Sequence, residues 1–318
     1  MARYIARRVL SALVTLVSIT VIIFFLLSLM HGSSMEILRD WSEGMAPAEY
    51  EALRRSLGLD QPVWVQYLLW VRDVLRGNLG MSYRYAAPVG SILVRRFGPS
   101  LLLCGTGTLI AALLALPLGV MAAYRPRSPW GMVSSVFAVG SACVPRFIVC
   151  IAFIYLFSFR LHWFPAMGMH AAGNTSLSDL IRHLILPASV IALSVLGPLI
   201  KQTRSACLEV FQEEYIKAAR ARGLSELEVV WKHGVRTALA SIVTAAALEI
   251  PGVISGAAIL EKIFAWPGIG SLMIESILSR DTPVIMGIAL LIAVTVLVVN
   301  IVLDILYGLL DPRVRVLP

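Results

Sequence analysis

The stretch EEYIKAARARGLSELEVVWKHGVR, residues 213–236, is charged and helix-forming, yet it lies between two long apolar stretches near residues 187–200 and 237–260. A turn between two membrane spans needs only a few residues. A compact amphipathic segment at such a place predicts a docking surface for a partner at the membrane face. Residues 209–222 favour helix, Gly223 can take the left-handed conformation that ends it, and Ser225 followed by Glu228 is a capping-box signature for a second helix to about Lys232. Two short helices are therefore expected to meet at Gly223. Ala218 and Ala219 leave room for a close approach, while Lys217, Arg220 and Arg222 can meet acidic groups or lipid headgroups. A helical hairpin that touches only lipid is the simpler alternative.

Working outward, the rest of the chain reads as membrane. Of its 318 residues 58% are apolar and only 14% charged, with a mean hydropathy of +0.82, too few charges to cover a soluble globule. Apolar runs long enough for a hydrocarbon core of about 30 Å occur near 9–31, 100–123, 133–158, 184–200, 237–258 and 283–307. The expected fold is an all-α membrane protein with six transmembrane helices. Residues 1–31 form an N-terminal anchor, 32–99 an extracytoplasmic helical region, 100–310 a core of five spans carrying the insert at 209–236, and 311–318 a cytoplasmic tail. The fourth run is the shortest; with Pro187 near its start and Pro198 near its end, an earlier beginning or a kink is expected.

Charge sets the orientation. With six spans, Arg3, Arg7 and Arg8, then Arg125 and Arg127, then seven Lys/Arg from Lys201 to Arg236, and finally Arg313 and Arg315 all fall on one side, so both termini are expected in the cytoplasm. Residues 32–99 carry eight arginines on the other side, but that segment is long and its seven acids nearly balance them. The first apolar stretch continues to Met30 with no small-x-small cleavage site after it, which reads as an uncleaved anchor. Outside, residues 48–57 read as a short helix ended by Gly58, residues 63–75 as a helix with an apolar face of Val63, Tyr67, Trp70, Val71 and Val74, and residues 88–96 as an amphipathic stretch at the interface. Trp163, Phe164 and Pro165 read as an interfacial aromatic anchor.

Several chemistries are not indicated. Cys104, Cys143, Cys150 and Cys207 lie in or beside spans at no metal or disulfide spacing, and the five histidines show no zinc-ligand pairing. There is no GxxxxGK[ST] phosphate loop and no nucleophile elbow, so no catalytic residue and no metal site is assigned. The net charge of +8 sits largely on cytoplasmic flanks facing anionic lipid and needs no nucleic acid to explain it. Two ionisable groups stand out within spans. Arg146 lies about thirteen residues into the third run and Glu249 about twelve into the fifth, at similar depth, so they are expected either to pair across the bundle or to line a path. Trp266, Pro267, Gly268 and Gly270 suggest an external turn or re-entrant feature that shapes a gate or a partner surface.

The segment Glu214-Tyr215-Ile216-Lys217-Ala218-Ala219-Arg220-Ala221-Arg222-Gly223-Leu224, with His233 and Arg236 downstream, resembles the cytoplasmic coupling motif of binding-protein-dependent ABC importer permeases, in particular the dipeptide/oligopeptide/nickel branch. The resemblance runs along most of the chain through Leu57-Gly58-Leu59-Asp60-Gln61-Pro62, Gly77-Asn78-Leu79-Gly80-Met81-Ser82, Pro88-Val89, Trp163-Phe164-Pro165, Leu186-Pro187-Ala188 and Arg204-Ser205. It is densest in the last third, at Glu261, Phe264-Ala265-Trp266-Pro267-Gly268-Ile269-Gly270, Arg280-Asp281, Pro283-Val284, Asn300, Asp304 and Asp311-Pro312-Arg313. Two departures are Lys217, where such motifs often carry Glu, and the missing proline near residues 234–236.

This resemblance implies a type I permease-like subunit of a bacterial plasma (inner) membrane that pairs with a second homologous permease. Two ATPase subunits, which hold ATP and Mg, and an extracytoplasmic solute-binding protein complete the assembly, with lipid around it. Glu214, Ala218, Ala219, Arg222, Gly223 and Leu224 would couple to the ATPase. The implied function is ATP-driven import of dipeptides or oligopeptides. Nickel chelates, glutathione or sugars are alternatives within the branch; a secondary transporter or a non-transporting scaffold is the alternative outside it.

Overall fold

A computed structural model of the chain describes residues 2–29 and 60–310, with side chains throughout these except at residues 2–9, 130, 142, 143, 240, 241, 250–256 and 304–310. The helix expected at 48–57 and the tail at 311–318 lie outside the described residues. Among the described residues twelve α-helices follow in order. They are α1 (Ala2–Leu29), α2 (Val63–Leu75), α3 (Val89–Tyr124), α4 (Pro129–Cys143), α5 (Arg146–Phe153), α6 (Leu177–Phe211), α7 (Glu214–Ala221), α8 (Glu226–Glu228), α9 (Arg236–Gly256), α10 (Ala258–Ile263), α11 (Ile269–Leu278) and α12 (Thr282–Leu310). Helix α5 continues as π-helical turns over Ile154–Arg160 and α8 over Val229–Val235. The protein is all-α and multi-pass.

Four described helices, Leu10–Leu29, Val89–Tyr124, Leu177–Phe211 and Thr282–Leu303, are long and apolar enough to cross a membrane. The pair Gly131–Ser141 and Arg146–Arg160, bent by 108°, makes a fifth if it is one span. The expected six are thus not reached among the described residues. The third run is not one straight span: Pro145 holds Val144 in extended backbone at φ −96°, ψ 122°, which ends α4. The amphipathic stretch expected at 88–96 is continuous with the second span. It is the first part of α3, one helix of 36 residues. The fourth run does begin early, within the 35-residue α6, which contains both Pro187 and Pro198.

The chain divides into two compact units, residues 1–98 with 271–298, and residues 99–270 with 299–318. In the first, the predicted aromatic face of α2 packs on α1: Phe24 and Tyr67 meet edge-on at 5.4 Å, and the Tyr67 hydroxyl lies 3.1 Å from Thr20 Oγ1. The loop before α3 folds onto the start of α12, closed by a bridge between Met81 and Pro88.

In the second unit α6 is the central helix, with 72% of its apolar stretch buried. Leu103 of α3, Leu186, Ile191, Leu199 and Ile200 of α6, and Phe264 and Trp266 beyond α10 form one core. A second cluster joins Val120, Cys207, Val230, Val235, Ala238 and Ile242, with Phe211 packed against it. Cys104, Cys150 and Cys207 are buried free thiols, in keeping with their places in or beside apolar runs.

Candidate functional site

In residues 213–236 the backbone turns because Glu213 is extended (φ −65°, ψ 145°), so the first helix starts at Glu214 and not at 209. Residues 209–211 belong to α6. After α7, Arg222 N–H bonds back to Ala218 O and Gly223 N–H to Arg220 O, with Gly223 at φ +77°, the left-handed value predicted for it. Ser225 then accepts from Glu228 N–H at 3.3 Å, the predicted cap. The second helix does not stop at Lys232. It runs through the π-helical turns directly into α9.

The helical pair has an inner and an outer side. Ile216, Ala219 and Val229 are buried and pack with Val210 and Leu224. Gly234 lies against the Phe211 ring so closely that a Cβ there would clash, which ties the insert to the end of α6. Outward lie Glu214, Tyr215, Lys217, Ala218, Arg220, Arg222, Gly223, Leu227 and Trp231. The paired alanines therefore divide: Ala219 is 1% exposed and internal, while Ala218 faces out. The ion pairs Glu214–Lys217 (2.7 Å), Arg220–Glu226 (3.1 Å) and Glu228–Lys232 (3.0 Å) are all at the surface. Surface pairs of this kind add little stability, so the charges remain available to a partner.

Arg146 is the first residue of α5, at the bend, and is exposed; Glu249 in α9 is half-buried. They are not joined by an ion pair among the described residues. Arg146 instead lines an apolar cleft of about 250 Å³ with Val136, Phe137, Ser141, Val149 and Leu193.

The segment expected at an external gate is packed inward. Trp266 is 1% exposed, its Nε1 donates to Pro99 O at 2.9 Å, and its backbone N–H donates to Glu261 O at 2.8 Å. Glu261, also 1% exposed, accepts from Ser100 Oγ at 2.5 Å, and the same hydroxyl accepts from Ile269 N–H at 2.7 Å. Gly268 stands against the Glu261 carboxylate, and a Cβ at Gly270 would come within 2.5 Å of Ala258 Cα. Pro267 is half-buried. In this chain Trp266, Gly268 and Gly270 thus form a buried knot and offer no exposed surface.

A second knot was not foreseen as a site. Asp281, fully buried, accepts from Ser82 Oγ at 2.5 Å and from the Tyr83 and Arg84 N–H groups at 3.2 Å each. Beside it the Tyr85 hydroxyl donates to Glu275 Oε2 at 3.0 Å, and partial burial together with that carboxylate raises the Tyr85 pKa above its ordinary 10.0. Both motifs were visible in the sequence, but nothing local joins residues 199 apart. Among the described residues no group of His, Cys, Asp or Glu is placed to hold a metal ion.

The chain is similar to known proteins. The chain is 37% identical over 319 residues to the oligopeptide transport system permease protein AppB of Bacillus subtilis, covering 99% of this chain and 100% of AppB. It is 34% identical over 317 residues to the glutathione transport system permease protein GsiC of Salmonella choleraesuis, covering 99% of each. Among solved structures, an inward-facing MetNI methionine ABC transporter chain matches with TM-score 0.58 at 17% identity, over 69% of this chain and 96% of that one, a likeness of fold. Residues 1–104 match the N-terminal family of binding-protein-dependent transport system membrane components, and residues 115–316 match the inner membrane component itself. A multi-pass helical chain with a charged two-helix insert, matched along nearly its whole length, belongs to the family of binding-protein-dependent transport system inner membrane components.

Proposed function

We propose that this chain is the permease subunit of an ATP-driven importer of dipeptides or oligopeptides, a six-span, type I half of a translocation path whose motor is a separate ATPase. The observation that carries the peptide reading is the full-length likeness to AppB, named for oligopeptide transport. GsiC, named for glutathione, points the same way, since glutathione is itself a small peptide. Support for six spans comes from α9: its 21 residues rise about 31 Å, and with the broken α4–α5 pair counted as one span it makes the sixth. The partners are a second permease, two ATPase subunits holding ATP and Mg, and an extracytoplasmic binding protein. Hydrolysis belongs to the ATPase.

Coupling follows from the two sides of the insert. The outer face, with Glu214, Ala218, Arg222 and Gly223, meets a cleft of the ATPase, while Ala219 and Leu224 hold the inner face. Closure of the ATPase dimer on ATP displaces this face. The displacement reaches α6 through Phe211 and Gly234, and α9 through the continuous helix of the insert. The stroke exchanges inward-open for outward-open populations, and the ATP-bound motor biases that equilibrium by as much as its interaction with the insert differs between the two states.

The test is uptake of a labelled peptide mixture by vesicles holding the complete complex, with Gly223→Pro compared. Uptake that requires ATP and the binding protein, and falls roughly tenfold or more in the assembled variant, is expected, an added barrier of about 1.4 kcal/mol. Gly223 has φ +77°, which proline cannot adopt. Uptake indifferent to ATP would contradict the reading.

A further inference from the structure

We propose that the cleft at the break between α4 and α5 receives the carboxylate end of the transported peptide, with Arg146 as its cation; the inference rests on the peptide reading above. Two features converge on an anion at this place. Arg146, in the first turn of α5, lines a cleft whose other walls are apolar residues, a glycine and two serines, with no carboxylate. The same turn begins after Pro145, which gives no side-chain cap, so its leading N–H groups and the positive end of the helix are directed at the break. Ser141, also in the lining, turns its buried Oγ toward Gly197 of α6, so the cation of the cleft is Arg146. A guanidinium at membrane depth needs water, a carboxylate or a phosphate beside it.

The size of the cleft narrows the occupant. About 250 Å³ falls below the ~300–1,000 Å³ of a pocket that encloses a whole drug-sized ligand. One end of a chain fits. An apolar wall with a single cation at its rim suits a terminal carboxylate and the apolar side chain next to it, and it disfavours a terminal ammonium. It leaves the rest of the peptide unread, as a carrier of many sequences requires. A broken helix is also where non-helical backbone is tolerated at membrane depth, because it borders a watery path or lies within protein.

The experiment compares uptake of one labelled apolar dipeptide as free acid and as C-terminal amide, in vesicles of the complete complex with the same binding protein throughout, so that any preference of that protein cancels between variants. The unsubstituted complex is expected to take the acid with roughly tenfold or greater advantage, the scale of one charge-assisted hydrogen bond. Arg146→Met should lower that ratio roughly tenfold relative to the unsubstituted complex while amide uptake persists, and Arg146→Lys should restore part of it. Equal loss for both peptides in an assembled Arg146→Met complex would give Arg146 to lipid headgroups or to the bundle and overturn the proposal, as would an unchanged ratio. Absence of uptake of either peptide by the unsubstituted complex would overturn the peptide reading itself, and this inference with it.

Discussion

The carboxylates of residues 213–236 and those of the two buried knots meet opposite environments. Glu214, Glu226 and Glu228 are paired with Lys217, Arg220 and Lys232 in contact with solvent, where each pair is worth little. Asp281 and Glu261 are enclosed, and their charges are met by serine hydroxyls and, at Asp281, by backbone N–H groups. A buried carboxylate held this way is costly to disturb, because its loss strands donors that have no water to turn to. The knots therefore fix the frame within each unit, and the insert keeps its charge free for a partner.

The sharpest break of this contrast is Asp281→Ala. It removes the acceptor of one hydroxyl and two backbone N–H groups, and should cost about 3 kcal/mol or more of stability. Thermal unfolding of the purified complex would show it, and Asp281→Asn should recover only part. Next in size is Gly268→Ala, whose Cβ would displace the Glu261 carboxylate; about 1–3 kcal/mol of overpacking is expected from the same measurement. The paired alanines sharpen the inner and outer faces of the insert. Ala219→Leu overpacks a residue that is 1% exposed and should cost about 1–3 kcal/mol, whereas Ala218→Leu should leave the unfolding temperature nearly unchanged and weaken co-purification of the ATPase. Smallest is Lys217→Ala, which breaks an exposed pair and should change stability by no more than about 0.5 kcal/mol.

How much of this was legible follows from distance along the chain. The left-handed Gly223 and the Ser225 cap were readable because both are set by residues within three or four positions. The start of α7 was misplaced because the break at Gln212 and Glu213 carries neither proline nor glycine. Pro145 did announce the break before α5, but the apolar run continues through it, and hydropathy outweighed the backbone signal. The Asp281 knot had no local signature at all, since Ser82 and Asp281 are 199 residues apart. Trp266 is expected from its glycine-rich neighbours in an external turn or re-entrant feature, and the long-range bond to the Pro99 carbonyl and the surrounding apolar core that bury it have no local signal.

Coupling through the insert requires that its outer face touch the motor. A photoreactive benzoyl-phenylalanine in place of Tyr215, which is 43% exposed beside Ala218, and in a separate complex in place of Trp163, which is 57% exposed after the α5 turns, would report it directly. In transport-active complexes a covalent adduct with the ATPase subunit is expected from position 215 and none from position 163. No adduct from 215, or one from 163, would contradict it.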